Sequence, residues 1–550
     1  MAGLILGPLL RFASAAEATI WVETDAACEA EVRAGGRSYR RRTFRVGNHH
    51  YALVRVAGLE PGEAYEYEVF LGGEKRWPEE GSAFPPSVIR TPPAGEPLKL
   101  VFGSCRICAP HEPPHTLSSE KEERGLGVDA LHSMATRLRD EIPEDRPHAL
   151  VMLGDQVYAH KPPRETVEFI RSRWDTSQTP GEVVADFEEY AHLYHVAWGE
   201  PTTRWLLSTV PSAMIFDDHE VDDDWNISEA WLEEMRSQPW WDAQIIGGYA
   251  SYWLYQHLGN LSPAALEKDE LYAKVVSSED AWPVLSEFAY RTHREPEGIR
   301  WSFHRDLGNV RLVMMDSCGG RVLEEGRRSM TGDEEWRWIE SQATGDFDHL
   351  LLGTSLPFLL GPGMHHLQSW NEALCAGAWG RKAARWAEGL RRSQDLDHWA
   401  SFQRSFTALA DLIQKVASGK RGASPSSVIV LSGDVHHGYL AEATFDKPVE
   451  SAVYQAVCSP FRNALPGSKK RLQRLAWTEP AAVFGRLLSR LAGVKEERIG
   501  WRLTHPEPWL ENQIATLELD GGRAAITFER AVLDGSGMCG LEKVYERRLV

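Results

Sequence analysis

The chain has 550 residues, 43% hydrophobic and 25% charged, which is typical of a globular protein long enough for several domains. Its formal net charge of −19 argues against bulk binding to nucleic acid or to an anionic membrane, because both need a positive protein surface. The seven cysteines are odd in number and mostly scattered, so they favour a reducing compartment over a disulfide framework.

The N-terminus imitates a secretion signal but lacks several of its features. No basic residue precedes the apolar stretch, Pro8 interrupts it, and Arg11 lies inside it. We therefore predict that Leu4–Phe12 and Thr19–Glu23 are the first strands of a mature domain and that the protein is cytoplasmic. No apolar run approaches the roughly 18 residues that a membrane span requires, so no transmembrane segment is expected.

Residues 1–93 are predicted to form an all-β domain. Segments Tyr51–Val56 and Tyr65–Phe70 alternate as half-buried strands do. The stretch 59–67 resembles the corner of a fibronectin III-like sandwich, where a tyrosine hydroxyl bonds to upstream backbone. Such a domain either recruits an unknown protein partner or braces its neighbour, and both roles stay open. The proline-rich stretch Thr91–Gly95 is the expected linker.

Residues 97–550 are predicted to form an α/β catalytic domain with helical insertions. Short unbroken apolar runs suit strands that are buried on both faces. Trp-rich helical segments at 227–260 and 368–418 are expected to pack on the sheet. An Asp-Gly turn after Ile514–Leu519 indicates a hairpin near the end of the chain. The runs predicted as strands are Leu98–Phe102, Ala149–Leu153, Ala213–Phe216, Val310–Met315, His349–Leu352 and Val428–Leu431.

Four of these runs stop on side chains that bind metals. In open α/β sheets, ligands bind beyond the carboxyl ends of the strands, where these clusters fall. Each cluster alone has an ordinary interpretation, such as a Gly-Asp turn, a helix start or an inert thiol. Their repetition at comparable strand ends predicts a metal site. The four clusters are Gly103–Cys105, Gly154–Tyr158, Asp217–Glu220 and Gly433–His437.

The residue types in the clusters suit particular metal chemistry. Glycine before Asp155 and before Asp434 permits a sharp exit from the strand. An aspartate bridges two ions through its two oxygens, and the phenolate of Tyr158 suits a ferric ion. Asp434 and His436, two residues apart, would project from one side of an extended chain. His219 offers an imidazole that acts as an acid or as a ligand.

The Cys-x-x-Cys sequence at Cys105–Cys108 is either a redox pair or half of a zinc site by its spacing alone. No second Cys-x-x-Cys exists to complete a zinc site, and a proline-rich stretch follows the first. We favour Cys105 as a metal ligand and Cys108 as a structural thiol.

The order of the four clusters resembles the PhoD-like (alkaline phosphatase D) branch of the calcineurin-like metallophosphoesterase superfamily. The first, third and last superfamily motifs are replaced here by Gly103–Cys105, Asp217–Glu220 and Gly433–His436, as in that branch. The resemblance covers nearly the whole chain and implies an α/β/β/α four-layer sandwich. It also implies two or three metal ions, ferric iron with calcium, with zinc or manganese as alternatives.

The resemblance also implies roles for individual residues. Asp155 would bridge the metals, and His219 would assist departure of the leaving group. Asp218 and Asp434 would bind the second metal. The implied iron ligands are Cys105, Asp155, Tyr158 and His436.

The chain departs from the family pattern at two places. Asp222, Asp223, Asp224 and Asn226 stand where relatives tend to carry asparagines. The extra negative charge would favour calcium or cap a helix, so which of the four contacts metal stays open. Typical members also carry a twin-arginine export signal, and none is visible here, so the phosphate-scavenging role of secreted members does not follow.

We expect hydrolysis of phosphate mono- or diesters by a metal-activated hydroxide. The substrate would be a small-molecule or lipid phosphate ester. Arg106 is a candidate catalytic residue that would clamp a phosphate oxygen, with a surface salt bridge as the alternative. The alternative is a catalytically weak protein with the phosphatase fold that acts as a binding or regulatory module, but the presence of all four clusters counts against it. A third hypothesis is an enzyme that uses the same site on another ester or an anhydride.

One segment departs from the acidic average. Ser468–Arg498 carries eight Lys or Arg against three Glu, with apolar residues such as Val483, Leu487 and Leu491 at helical spacing. This pattern indicates either a helix for a membrane surface or a partner, or an amphipathic helix packed on its own domain. We favour packing on its own domain.

Overall fold

The computed structural model describes residues 2–92, 95, 97–295, 298–465, 467–495, 497–535 and 537–550, without the side chains of 467–469 and 472. The predicted linker Thr91–Gly95 includes two residues, 93 and 94, that lie outside the described part of the chain. None of the described helices has the length and apolar character of a membrane span.

Residues 4–90 form two antiparallel sheets. Their strands are β1 Leu4–Ala13, β2 Glu17–Thr24, β3 Glu29–Ala34, β4 Arg37–Arg42, β5 Phe44–Val46, β6 His49–Ala57, β7 Ala64–Leu71, β8 Glu74–Trp77 and β9 Val88–Arg90. One sheet has the order β1-β2-β6-β5 and the other β4-β3-β7-β8, with β9 paired to β7. Ile20 and Val54 of the first sheet share a buried cluster with Val32 and Val69 of the second. The predicted all-β region is confirmed.

Buried polar contacts join this β-region to the rest of the chain. The fully buried Arg11 donates from Nη1 to the carbonyl of Tyr255 at 2.7 Å. The Glu23 carboxylate lies 2.6 Å from Nδ1 of His49 and 2.9 Å from Nε2 of His195, and it accepts from the Tyr255 hydroxyl at 3.0 Å. These contacts favour the bracing role.

The second unit contains the remaining strands and the helices. Its strands are β10 Leu98–Gly103, β11 Ala149–Leu153, β12 Ser212–Ile215, β13 Phe303–Leu307, β14 Val310–Met315, β15 His349–Thr354, β16 Ser427–Ser432, β17 Tyr439–Phe445, β18 Ala452–Val457, β19 Ile499–Leu503, β20 Gln513–Asp520, β21 Arg523–Leu533 and β22 Cys539–Arg548. Its helices are α1 Ala130–Asp140, α2 Arg164–Arg173, α3 Phe187–Gly199, α4 Pro201–Thr209, α5 Glu229–Arg236, α6 Trp241–Ser251, α7 Leu258–Asn260, α8 Pro263–Leu266, α9 Glu270–Ser277, α10 Trp282–Arg294, α11 Asp333–Gln342, α12 Pro362–Cys375, α13 Arg381–Ser393, α14 Gln403–Ala417, α15 Gly467–Ala476 and α16 Glu479–Leu491. Shorter helical turns are Pro143–Asp145, Asp218–Glu220 and Trp399–Ser401, and the π-helical turn Tyr252–His257 joins α6 to α7.

Two mixed sheets organise this unit. One has the order β12-β11-β10-β20-β21-β22 and the other β13-β14-β15-β16-β18-β17-β19. Strands β10, β11 and β12 are parallel, as are β14, β15, β16 and β18. Five of the six apolar runs predicted as strands lie wholly within these parallel strands, and the run Ala213–Phe216 extends one residue beyond β12. The carboxyl ends of β10, β11 and β12 therefore lie along one edge of their sheet.

Alternate residues of the central strands contribute to different buried clusters. Phe102 and Val151 of the six-stranded sheet share one cluster with Leu312 and Ile429 of the seven-stranded sheet. Residues next to them in sequence lie in another cluster with side chains of α1, α4, α11 and α14. Because both faces of each strand are covered, these strands are continuous apolar runs in the sequence instead of alternating patterns.

The basic segment 468–498 contains α16, whose packing differs from the expected burial of its large apolar side chains. Helix α16 buries its small residues Ala482, Gly485 and Ser489, and Ser489 Oγ donates to the carbonyl of His366 on α12 at 2.6 Å. The large apolar side chains, Val483 and Phe484 among them, are exposed. The predicted apolar contact with its own domain is therefore wrong for most of that face, because the close approach to α12 uses the small residues.

Candidate metal centre

The four predicted clusters meet at the carboxyl ends of β10, β11, β12 and β16. The backbone N–H of Cys105 donates to the carbonyl of Gly154 at 3.2 Å, and that of Asp434 donates to Ser104 Oγ at 3.1 Å. The glycine exits permit this approach. At Gly154, where φ is +101°, an added Cβ would stand 2.7 Å from Cβ of Asp217. The structure thus brings together residues that are up to 330 positions apart.

The loops of the centre contain unusual backbone conformations. Among the described residues other than glycine, positive φ angles between 48° and 65° occur only in these loops and the loop that precedes His398. Left-handed backbone is costly for residues with a Cβ, and such strain concentrates at functional sites. The seven residues are Cys105, Asp155, Asp224, Asn226, Asp395, Asp434 and His436.

One group of donors combines four chemical types. Cys105, Asp155 and His436 each offer a ligand atom, and these atoms lie within 4.8 Å of one another. The Tyr158 hydroxyl donates to Oδ2 of Asp155 at 3.2 Å. Nδ2 of Asn463 donates to that hydroxyl at 3.0 Å and lies 3.3 Å from Nε2 of His436. A thiol, a carboxylate, a phenol and an imidazole therefore converge.

A second group consists mainly of carboxylates. Asp155, Asp218 and His219 offer ligand atoms within 4.8 Å of one another, so Asp155 belongs to both groups. Nε2 of His398 lies 2.9 Å from Oδ2 of Asp434. Since Asp155 contacts both groups, its position suits a carboxylate between two ions.

Burial and mutual repulsion disfavour the ionised form of the carboxyl groups in the centre. Burial and then the charges of Asp217 and Glu220 raise the pKa of Asp155 well above its usual value. Burial and then Asp217 raise the pKa of Asp218 in the same way. Burial would also raise the pKa of Asp434, but the hydrogen bond and charge of His398 lower it. Ionised carboxylates at this density require positive charge nearby.

The donor set fits cations. Oδ1 of Asp155 and Oδ2 of Asp217 are buried without a hydrogen-bond partner in the described part of the chain. Leaving such oxygens unpaired costs about 1–3 kcal/mol each. Metal ions would satisfy both oxygens and would reverse the raised pKa values, because a bound cation favours the charged form of its ligands.

His219 lies beside the carboxylates, and its ring packs against two neighbouring aromatic rings. Its ring stacks on His160 with centroids 4.6 Å apart and is tilted over Tyr158 at 4.8 Å. Nε2 lies 4.0 Å from Oδ2 of Asp155, and Nδ1 lies 3.7 Å from Oδ1 of Asp223. Burial lowers the pKa of the imidazole, and the charge of Asp223 opposes that effect.

Glu220 is a buried hydrogen-bond acceptor that connects the loops after β11 and β12. Its carboxylate accepts from the backbone N–H groups of Asp155, Gln156 and Asp217 at 3.1, 2.8 and 2.8 Å. It also accepts from Nε2 of Gln256 at 3.0 Å. Burial raises the pKa of Glu220 to about 7, although these hydrogen bonds oppose the effect. The sequence analysis placed Glu220 in a cluster without recognising this role.

The acidic residues at 222–224 and the nearby Asn226 make different contacts. The N–H of Asp224 donates to Oδ2 of Asp218 at 3.1 Å, and burial with the neighbouring Asp395 raises the pKa of Asp224 to about 10. Nδ2 of Asn226 donates to the carbonyl of Cys318 at 3.0 Å. Burial raises the pKa of Asp222 to about 6. Of the run, the backbone of Asp224 contacts the second group of donors at Asp218, and the carboxylate of Asp223 lies 3.7 Å from Nδ1 of His219.

Arg106 lies away from the donor groups. Its buried guanidinium donates from Nε to Oδ2 of Asp129 at 2.8 Å, from Nη1 to the carbonyl of Ala197 at 3.1 Å and from Nη2 to Oγ1 of Thr203 at 3.0 Å. These three contacts favour a structural role over the predicted phosphate clamp and over a surface salt bridge. Cys108 donates to the carbonyl of Val196 at 3.6 Å and matches the structural thiol that we favoured.

Three residues of the centre had no sequence prediction. His398 contacts Asp434, Asn463 contacts Tyr158, and the thiol of Cys318 donates to Oδ1 of Asp217 at 2.8 Å. His398 follows Asp395-Leu-Asp397, an acidic tripeptide inside the predicted helical segment 368–418, which was the only signal available for it. Cys318 and Asn463 each stand a few residues after a strand, β14 and β18, so the strand-end rule that found the others applies to them.

Hard oxygen donors, imidazoles and a thiol meet at the carboxyl edge of two sheets, and this arrangement is typical of metal-binding sites. A family model described as PhoD-like phosphatase matches residues 129–481, more than half of the chain. The chain therefore belongs to the PhoD-like phosphatase family and is a phosphoric ester hydrolase, which confirms the predicted family and enzyme class. The match includes every predicted site residue except Cys105 and Arg106.

Other comparisons extend to the rest of the chain. Residues 1–89 match a family model described as a domain of unknown function (DUF7800). The solved structure of PhoD aligns over 98% of this chain and 92% of its own, with a TM-score of 0.57 and 12% identity. Purple acid phosphatase PPD1 from yellow lupin (Lupinus luteus) seeds aligns over 98% and 73%, with a TM-score of 0.50 and 10% identity. At such identities the likeness concerns the fold alone. Among curated proteins, no sequence matches this chain.

Proposed function

We propose that the centre hydrolyses phosphate mono- or diesters with the help of two or three bound metal ions. The observation that carries the proposal is the convergence of buried carboxylates, two of them with unpaired oxygens, around one site. Metal ions bound there would neutralise phosphoryl oxygens and supply a nucleophile from water at neutral pH. The protein residues would bind the ions, orient the ester and exchange a proton with the leaving group.

We assign the first ion to the group with four donor types. Cys105, Asp155, Tyr158 and His436 would bind ferric iron, because a phenolate is a hard ligand that suits it. Asp218 and Asp434, with Asp155 between the groups, would bind calcium, which prefers oxygen ligands. Zinc or manganese in these positions is the alternative metal content.

We assign proton transfer to His219. Asp223 lies near Nδ1 and would fix the orientation of the ring, so that Nε2 faces the carboxylates and the ester. A proton on Nε2 would pass to the oxygen of the leaving group. A binding or regulatory protein with this fold would need no such residue, which favours the enzyme over that alternative.

The proposal also includes the detailed fold of both domains. The cluster shared by the two sheets and the helices outside them support an α/β/β/α four-layer sandwich. The 2.9 Å hydrogen bond that the N–H of Glu60 donates to the Tyr65 hydroxyl supports a fibronectin III-like corner in the N-terminal domain. The cytoplasmic location remains a prediction from the sequence.

Elemental analysis and a substrate panel test the proposal together. We expect purified protein to contain iron and calcium and to hydrolyse p-nitrophenyl phosphate, its bis ester, or both. Prolonged EDTA treatment should abolish turnover, and full activity after chelation would refute the metal mechanism. Turnover of neither ester, with metals present, would favour the binding protein or an enzyme for another ester or anhydride.

Replacing His219 by alanine tests the assigned proton transfer. We expect the H219A variant to lose most turnover and to keep nearly all its metal, because His219 is not among the assigned ligands. His192, which stacks on Phe169 away from the centre, provides the matched control H192A. Loss of metal in H219A would identify His219 as a ligand instead, and unchanged turnover would exclude the assigned role.

A further inference from the structure

An apolar face of α16 is turned to solvent. Val483, Phe484, Leu487 and Leu491 are all exposed, with Phe484 at 62% and Leu491 at 63%. Their spacing places them on one side of the helix. The opposite side packs its small residues on α12, so this face has no described side chains of the same chain over it. Large apolar residues of monomeric surfaces are usually scattered singly, and a contiguous set marks an interaction surface.

Two exposed tryptophans extend this face. Nε1 of Trp379 donates to the carbonyl of Leu491 at 3.2 Å, which joins it to the end of α16. Trp379 and Trp386, the latter 57% exposed, both pack edge-on against Trp370 with centroids 5.9 Å away. We call this surface the insertion face. It consists of the side chains of Trp379, Trp386, Val483, Phe484, Leu487 and Leu491.

The insertion face has basic borders, although the whole chain carries a net charge of −19. Helix α13 exposes Arg381, Lys382 and Arg385, and Lys382 precedes Trp386 by about one helical turn. On α16, Arg486 and Arg490 are exposed beside the apolar residues. Apolar side chains with a basic border are typical of helices that lie in the interface of an anionic membrane.

A cavity of about 350 Å³ opens beside this face. Its lining includes Arg486, Arg490, Lys495 and the imidazole of His366. Glu497 is the acidic residue in the lining, and its Oε1 lies 2.7 Å from Nε2 of His365, within hydrogen-bond distance. A concave, basic site next to an apolar helix face fits a phosphate group whose acyl chains lie against the helix.

We propose that the insertion face docks on a bilayer that contains anionic phospholipid. Aromatic and aliphatic side chains would enter the interface, and the basic border would contact the phosphate groups. A second copy of this chain is the less suitable occupant, because pairing two insertion faces would bring like-charged borders together. The net charge of the chain does not oppose this docking, since charges more than about 8 Å away are largely screened at physiological salt.

Vesicle co-sedimentation tests the proposal with the full chain. We expect the protein to bind vesicles of phosphatidylcholine with phosphatidylserine, to bind pure phosphatidylcholine weakly, and to lose binding in high salt. The F484E variant should bind at least about tenfold more weakly, because one aromatic side chain no longer enters the interface. The double variant R486Q/K495Q should weaken binding to the anionic vesicles alone.

Ile142, 59% exposed on another surface, provides the matched control I142E, which should bind like the unmodified protein. Unchanged turnover in F484E would show that the variant folds. Failure to bind anionic vesicles, or equal binding by F484E and the unmodified protein, would overturn the proposal. Concentration-dependent dimers that F484E abolishes would assign the face to a second copy and would overturn it also.

Discussion

Replacing Gly154 by alanine tests two features of this strand end. One is the positive φ angle, which glycine adopts easily, and the other is the lack of space for a Cβ atom beside the neighbouring strand ends. Gly154 directly follows β11, and its φ is +101°. An added Cβ would lie 2.7 Å from Cβ of Asp217 and 3.0 Å from Cβ of Ser355. Both neighbours are fully buried, and Asp217 is one of the carboxylates of the centre. The substitution would therefore displace the residues that the metals require.

The expected cost has two parts. A positive φ costs an L-residue roughly 1–2 kcal/mol relative to glycine. Inserting a carbon atom into a packed site costs about 1–3 kcal/mol more. At Gly181, φ is +85° and no described atom lies within 4 Å of an added Cβ, so alanine there bears only the first cost. The difference between the variants G154A and G181A should be about 1–3 kcal/mol.

Urea unfolding followed by tryptophan fluorescence would measure this difference, and elemental analysis would report the metal content of both variants. We expect G181A to keep its metals and its turnover. G154A should unfold at lower urea and bind less metal, because displacement of Asp217 would shift the adjacent Asp218 of the second group of donors. Equal unfolding midpoints with equal metal content would refute the reasoning and would show that the strand ends adapt to the added carbon.

Two further predictions concern the domain interface and the iron. Burial alone would lower the pKa of His49, but hydrogen bonds to Glu188 and Glu23 raise it to about 9 from 6.5. The interface should therefore have its full stability below about pH 6.5 and lose up to about 3 kcal/mol as the pH rises through 9. Unfolding midpoints across this range should fall for the unmodified protein and stay nearly constant for H49Q; parallel curves would contradict the assignment. The Y158F variant should lose the visible absorption expected of tyrosinate bound to ferric iron, and a colourless unmodified protein with zinc or manganese would defeat the ferric assignment.

The strands and their polar ends were predictable because the relevant information is local. Ala149–Leu153 and Val310–Met315 match the observed strands at both ends, since burial on both faces requires an unbroken apolar run. Glycine before Asp155 and Asp434 also acts locally, through the backbone conformation that it permits. The four clusters could therefore be grouped from the sequence before any spatial contact was known.

The contacts of the supporting residues were not predicted, because no sequence motif pairs these residues with their distant partners. His398 is 36 residues from Asp434, Cys318 is 101 residues from Asp217, and Asn463 is 305 residues from Tyr158. Arg106 illustrates the effect of backbone direction. Its position beside Cys105 suggested a catalytic role, but the backbone turn at Cys105 directs its side chain to Asp129 and the helices α3 and α4. Proximity in sequence is a poor guide to side-chain direction where the backbone reverses.

Backbone strain and carboxylate repulsion occur in the same loops. Seven residues with positive φ each cost on the order of 1 kcal/mol or more, while domain stabilities are only about 5–15 kcal/mol. Burial and mutual repulsion add to this cost at Asp155 and Asp218. Glu220 offsets part of it by accepting three backbone N–H groups, but it adds another buried carboxyl. Positive charge at the donor atoms would offset more of this cost, and His398 places such charge beside Asp434. Cations bound by the other carboxylates would thus stabilise the same loop conformation that positions them for catalysis.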